Sequence, residues 1–188
     1  MRISSNINKD VEFVLIDKKQ LKKRVKELAK QINKDYKGKR PVLLCLLKGS
    51  LHFITELAEN ITIPVEYECL KISSYANTVS TGKVTVLSQM LKPIAGKDVI
   101  IVEDIVDTGH TLKTVIELLK NEGVSSLEIA TLLNKQARRE VEGINPKYVG
   151  FEIPDYFVIG YGLDYNEYYR NLPYIGVLKE EVYKNNEQ

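Results

Sequence analysis

The sequence predicts an α/β domain with a central parallel sheet flanked by helices. Two observations predict it. Val42–Leu47, Val99–Val102 and Leu127–Leu133 are apolar runs without polar alternation, and helical patterns lie between them. A strand that is apolar on both faces must be covered on both, and strands alternating with helices pair in parallel. The size agrees: 188 residues, 44% hydrophobic and 28% charged, suit one soluble globular domain. A chain of this length buries roughly 70% of its unfolded surface and needs no disulfide or metal staple.

Taken in order, Asp17–Asn33 sets Leu21, Val25, Leu28, Ala29 and Ile32 on one helical face, with Asp17 and Gln20 spaced as a capping box. The outer side of that helix is heavily basic and reads as solvated. Val42–Leu47 is the first buried strand, and Leu51–Ala58 the helix after it. Val65–Ile72 and Lys83–Ser88 read as strands joined by the polar stretch Ser73–Gly82. Val99–Val102 is the next buried strand; Leu112, Val115, Ile116 and Leu119 form the helical stripe behind it, ended by Gly123. Leu127–Leu133 is the third buried run, Phe157–Tyr161 and Tyr174–Leu178 are later short strands, and the polar end Lys184–Gln188 should fray.

Composition also excludes. Lys and Arg number 27 against 25 Asp and Glu, a net charge of +2, which is too little surplus for a nucleic-acid footprint. The longest apolar run, Val42–Leu47, is far short of the roughly 20 residues of a membrane span, and the polar Met1–Asp10 does not read as a secretory signal. Cys45 and Cys69 lack CxxC spacing and sit in apolar stretches, so both are expected in the core of a cytoplasmic protein.

The chemistry concentrates in Val99–Leu112, VIIVEDIVDTGHTL. A buried strand ends in Glu103 and Asp104, turns through Ile105 and Val106, and reaches Asp107, Thr108, Gly109, His110 and Thr111 at a helix start. Ligands of α/β sheets bind at this end of the strands. A helix N-terminus offers free N–H groups, Gly109 permits a tight backbone, and Thr108 and Thr111 add hydroxyls, so the loop suits a phosphate. The two acids suit sugar hydroxyls or a hydrated divalent cation instead. The same spacing also allows a plainer reading, with Asp107 as helix N-cap and the two acids solvated. Neither GxxxxGK[ST] nor GxGxxG occurs, so ATPase and dinucleotide sites fall away.

Val102–Thr111 resembles the phosphoribosyl diphosphate (PRPP) motif of type I phosphoribosyltransferases. The likeness extends through Leu47-Lys48-Gly49, Ser73-Ser74-Tyr75 with Ser80-Thr81-Gly82, Lys135, and the long block from Gly150 through Phe157 and Leu163 to Arg170, the order found in the hypoxanthine-guanine phosphoribosyltransferases. It covers roughly residues 10 to 180. It departs at His110, whose side-chain role stays open, and in the spacing from Lys135 to Gly150, which leaves Arg138 and Arg139 without a transferable role.

The resemblance implies the type I phosphoribosyltransferase fold: a single domain over 1–188 with a small hood, built from N- and C-terminal segments, above the active site. It implies transfer of the phosphoribosyl group from PRPP to hypoxanthine or guanine with Mg2+, giving IMP or GMP and pyrophosphate, in a homodimer or homotetramer. Carried over by position, Asp107 is the acid/base near purine N7, and Glu103 and Asp104 meet the ribose hydroxyls and magnesium. Thr108, Gly109, His110 and Thr111 bind the 5′-phosphate. Lys48, Gly49 and Arg170 meet pyrophosphate, and Asp164 adds a second magnesium contact. Phe157 stacks on the purine while carbonyls of Val158 and Asp164 accept the guanine amino group. Lys135, a pure donor, satisfies the exocyclic oxygen of a 6-oxopurine and not the amino group of adenine. Ser74 and Tyr75 belong to a lid over Ser73–Lys83. A cis peptide between Leu47 and Lys48 is also implied, with the Lys48 side chain free to reach a neighbouring subunit. The rivals are transferases for adenine, pyrimidines or xanthine, and a nucleic-acid-binding regulator on the same fold; the first two sit badly with Lys135 and Phe157, the last with the near-neutral charge.

Overall fold

The computed structural model describes residues 6–74, 84–86, 90 and 92–184. The helix α1 (Lys18–Asp35) forms where the sequence places it. Asp17 Oδ1 accepts from the N–H groups of Lys19 (2.7 Å) and Gln20 (2.9 Å), and Gln20 Oε1 accepts from Asp17 N–H at 2.8 Å, which closes the capping box. The face it buries is Leu21, Val25, Leu28, Ala29 and Ile32. Arg24, on the basic outer side, is not simply solvated: its guanidinium donates to the carbonyls of Gly150 and Val149, both at 2.8 Å, and ties α1 to the sheet.

That sheet has six strands, in the order β4 (Val84–Val86), β3 (Glu66–Ser74), β2 (Val42–Leu47), β5 (Asp98–Val106), β6 (Ser126–Asn134) and β7 (Tyr148–Glu152). All neighbours pair in parallel except β3 with β4. Side chains alternate across the strands. Leu43, Cys45, Ile100 and Val102 pack with α1 and with α2 (Leu51–Glu59), while Val42, Leu44, Leu46, Val99 and Ile101 pack with α3 (His110–Asn121). Burial on both faces explains the unbroken apolar runs. Truncating a fully buried member such as Leu43 or Ile100 to Ala would cost about 2–5 kcal/mol.

A second, three-stranded sheet joins the two ends of the chain. Its order is β1 (Val11–Ile16), β9 (Ile175–Leu178) and β8 (Val158–Ile159), all antiparallel. Its own apolar cluster comprises Ile159, Tyr169, Leu172, Leu178 and Val182, the last from the short helix α4 (Glu180–Tyr183). The buried Asp10 fixes it, accepting from the Tyr169 hydroxyl at 2.8 Å and, through its carbonyl, from Lys179 N–H at 3.0 Å.

Two expectations need correction. Cys69 is exposed and only Cys45 is buried, although the two are in register on β2 and β3; Cys45 packs in the cluster with α1 and α2, which does not include Cys69. The strand expected over Phe157–Tyr161 is confined to Val158–Ile159, since the left-handed turn at Gly160 (φ 95°) and Tyr161 (φ 49°) bends the chain away. Lys48 pairs with Glu167 of its own chain at 2.7 Å, with both side chains exposed. The strands β1 and β7 went unread because each mixes polar or glycine positions into its apolar residues without strict alternation.

Candidate active site

Strand β5 runs on past Val102 and delivers Glu103 and Asp104 to the carboxyl end of the sheet. The chain then bends through Asp107, Thr108 and Gly109 into α3. Gly109 is the N-cap residue at φ 94°, a left-handed conformation that favours glycine, and no side chain caps the helix. The plainer reading of Asp107 as N-cap is therefore wrong. The first N–H groups of α3 have no acceptor within the helix, and its positive end lies at the bend. The bend is braced from behind. The Thr108 carbonyl accepts from Glu140 N–H (3.0 Å) and Val141 N–H (3.3 Å), and the Asp107 carbonyl from Arg139 Nη1 (3.0 Å). His110 is exposed and its Nε2 lies 2.9 Å from Glu140 Oε2, so its side chain is engaged outside the bend.

The acids are only partly open to solvent. Desolvation, then the neighbouring Asp104 charge, holds the Glu103 carboxyl well above the usual carboxylate range. Asp104 is pushed up to about 6 by the same burial, against the hydrogen bond its Oδ1 accepts from Ile105 N–H at 2.8 Å; the Arg170 charge opposes the rise and Asp164 adds to it. Unneutralised carboxylates in one spot fit a hard divalent cation. Among the described residues no group of three His, Cys, Asp or Glu could hold a metal ion, so Glu103 and Asp104 could serve a cation only as a pair of hard oxygen donors.

The end of β2 closes on these acids. The Leu47–Lys48 peptide is cis, and a Cβ on Gly49 would lie 1.6 Å from Asp104 Oδ2. A Cβ on Gly162 would in turn lie 2.0 Å from the Gly49 carbonyl. Arg170 finishes this layer, donating to the Gly162 carbonyl at 2.7 Å and pairing with Asp164 at 2.9 Å. The segment holding them is tightly coiled: Tyr161, Asn166, Glu167 and Tyr169 all have positive φ, compensated in part by Glu167 N–H donating to Asp164 Oδ2 at 2.8 Å.

Opposite lies a cavity of about 470 Å³ whose walls include Ile105, Asp107, Lys135, Phe157, Val158 and Asp164. Five separate stretches of chain meet there, the fifth at Tyr183. Lys135 is buried, with its ammonium 3.2 Å from Asp155 Oδ1. Val158 is buried and Phe157 is half-exposed. The structure also brings in Arg138, which sequence reasoning left without a role: its Nη1 reaches both Asp155 oxygens at 3.2 Å and its Nε lies 2.9 Å from Asp107 Oδ1. That last contact is an ion pair without hydrogen-bond alignment, and Asp107 Oδ1 has no hydrogen-bond partner. Lys135, and secondarily Arg138, holds the Asp155 carboxyl below its ordinary value. Asp155 and Arg138 were missed because exposed charges in a turn carry no spacing signal. Of the expected site residues, only Ser74 and Tyr75 escape placement: Tyr75 and the rest of the expected lid to Lys83 lie outside the described residues, as does the Ser74 side chain.

Comparison with known proteins gives a consistent result. The phosphoribosyl transferase domain model matches residues 15–166. A hypoxanthine-guanine phosphoribosyltransferase of Staphylococcus aureus (strain Mu50 / ATCC 700699) is 48% identical over 180 residues, which is 95% of this chain and 100% of that protein. The crystal structure of a hypoxanthine phosphoribosyltransferase from Staphylococcus aureus matches with a TM-score of 0.91 at 46% identity, covering 97% of this chain and 99% of that one. A hypoxanthine-guanine phosphoribosyltransferase from Bacillus anthracis, with a HEPES molecule in its active site, matches at 0.86 and 42% identity over 90% of this chain and 99% of its own.

Proposed function

From the chain's membership of the phosphoribosyl transferase family, among the hypoxanthine-guanine phosphoribosyltransferases, we propose that it salvages purines by moving the phosphoribosyl group of PRPP to N9 of hypoxanthine or guanine. The products are IMP or GMP and pyrophosphate. The observation that carries this reading is the meeting of two half-sites: an acid-lined bend at a helix N-terminus for the sugar phosphate, and a cavity with the buried donor Lys135 beside Phe157 for the base.

Each role follows from chemistry. The 5′-phosphate takes the N–H groups and hydroxyls of Thr108, Gly109, His110 and Thr111. The ribose hydroxyls lie on Glu103 and Asp104, whose upward-pushed carboxyls gain most from a cation that keeps them ionised. Magnesium, when bound there and toward Asp164, supplies charge neutralisation for the diphosphate. The backbone of Lys48 and Gly49, with the Arg170 guanidinium, receives pyrophosphate, for which Arg170 exchanges part of its hold on Asp164. The base stacks on Phe157, its exocyclic oxygen accepts from Lys135 and its 2-amino group donates to the Val158 and Asp164 carbonyls. Asp107 takes the proton at N7 as the new bond forms and returns it in the reverse reaction. Positioning of the two substrates and stabilisation of the positive anomeric carbon supply the rate.

The three-stranded sheet acts as the hood of a single domain, with Ser74 and Tyr75 in a lid that excludes water from PRPP. The working form is a cytoplasmic homodimer or homotetramer, for which exposed Leu51 and Tyr67 offer apolar surface; no described helix is long and apolar enough to cross a membrane. Incubation with PRPP, Mg2+ and each of hypoxanthine, guanine, xanthine and adenine, followed by absorbance, tests the reading. Fast conversion of the first two supports it, and preference for adenine contradicts it.

A further inference from the structure

Phe157 is 39% exposed, too open for the surrounding core to hold its ring, yet it is braced by two other rings. Tyr183 of α4 stacks on it with centroids 4.9 Å apart and planes 20° from parallel, and Tyr165 meets it edge-on at 5.5 Å and 86°. Tyr183 is itself held. Val182 beside it is buried, Tyr183 packs against the apolar cluster of the small sheet, and Leu178 N–H, five residues before it, donates to the Phe157 carbonyl at 2.9 Å. The backbone of Phe157 and the ring that covers it are thus fixed by one short length of chain.

The two rings stand between two cavities. The base cavity of about 470 Å³ and a larger one of about 860 Å³, which also includes Phe13, Tyr156 and Glu180, are both walled by Phe157 and Tyr183. With Tyr183 in place one face of the Phe157 ring is covered, and the ring still lines the base cavity. Without Tyr183 the Phe157 ring loses its stacked neighbour between the two cavities.

We infer that Tyr183 is a positioning residue for the purine base, acting through Phe157: by stacking on one face of that ring it holds the other face toward the base. The inference rests on the assignment of Phe157 as the base-stacking side chain. It concerns the base alone, because among the described residues the ring that Tyr183 stacks on is Phe157.

Initial rates for the full-length protein carrying Tyr183→Ala, Tyr183→Phe, Phe157→Ala, or both alanine changes separate the possibilities. Tyr183→Ala should raise KM for hypoxanthine about three- to tenfold, the range of one aromatic stacking contact, and leave KM for PRPP unchanged. Tyr183→Phe should behave as wild type, and adding Tyr183→Ala to Phe157→Ala should cost nothing more. An unchanged or lower KM for hypoxanthine in Tyr183→Ala, an equal rise for both substrates, or independent effects in the double variant would overturn the inference. If Phe157→Ala itself leaves base KM unchanged, or wild-type protein makes no IMP, the underlying assignment fails and this inference with it. Failure confined to the Tyr183 variants overturns the inference alone.

Discussion

Gly49 and Asp104 are in contact across the carboxyl ends of β2 and β5, so close that a methyl group on Gly49 would fall 1.6 Å from Asp104 Oδ2. The two half-loops assigned to pyrophosphate and to ribose therefore form one surface, and the absence of a side chain at position 49 is what joins them. Gly49→Ala must push either the β2 loop or the Asp104 carboxylate aside. A displacement near 1 Å in a reacting site costs on the order of 100-fold in rate. We expect kcat/KM for PRPP to fall by about that factor in Gly49→Ala while the thermal midpoint moves little; wild-type kinetics would mean the contact has no part in the site.

Asp107 lines the same cavity as Lys135 and Phe157, and its buried Oδ1 has no hydrogen-bond partner. Asp107→Asn preserves its shape and removes its capacity to accept a proton. Turnover should drop by about 100-fold or more with KM for PRPP nearly unchanged. Equal losses in both parameters would point to binding rather than proton transfer.

Lys135→Gln replaces a buried ammonium by a group that both donates and accepts. Loss of a charged hydrogen bond to the exocyclic oxygen is expected to cost about 2 kcal/mol or more in kcat/KM for hypoxanthine and guanine, with weaker discrimination against adenine. Selectivity measured across the three bases checks it, and an unchanged ratio would remove Lys135 from base recognition.

Away from the site, the Asp35 carboxyl is held below its ordinary value of 3.8 first by the hydroxyl of the buried Tyr148, which donates to it at 2.8 Å, and then by Lys147 at 3.1 Å. A carboxylate whose folded value is depressed stabilises the fold above the unfolded value, and that stabilisation is lost as pH falls through the folded one. Asp35→Asn should therefore cost up to about 1 kcal/mol between pH 5 and 8, given partial solvent screening. The gap from wild type should close as pH drops below about 4. Denaturant unfolding at several pH values measures this; a gap that widens in acid would contradict it.

Much of this architecture was legible in the sequence because burial on both faces leaves a strong mark. Val42–Leu47 and Leu127–Leu133 could only be covered strands, and Asp17 with Gln20 announced the start of α1. The acid pair and the bend to Thr111 were also legible, since chemistry there is concentrated in consecutive residues. What stayed hidden depends on contacts distant along the chain. Tyr183 meets Phe157, Arg138 meets Asp107 and Asp155, and Lys48 meets Glu167, and none of these pairs has a spacing rule. The left-handed residues from Tyr161 to Tyr169 were hidden for a different reason: side chains other than glycine rarely adopt that conformation, so local propensity argues against it.

A crystal structure of the protein with GMP bound would join these assignments in one observation. The 5′-phosphate should sit on the backbone of residues 107–111, the ribose hydroxyls should face Glu103 and Asp104, and the guanine ring should lie against Phe157 with its exocyclic oxygen within hydrogen-bond distance of Lys135 Nζ. A phosphate bound away from that bend, or a base with its oxygen turned from Lys135, would contradict the proposed site.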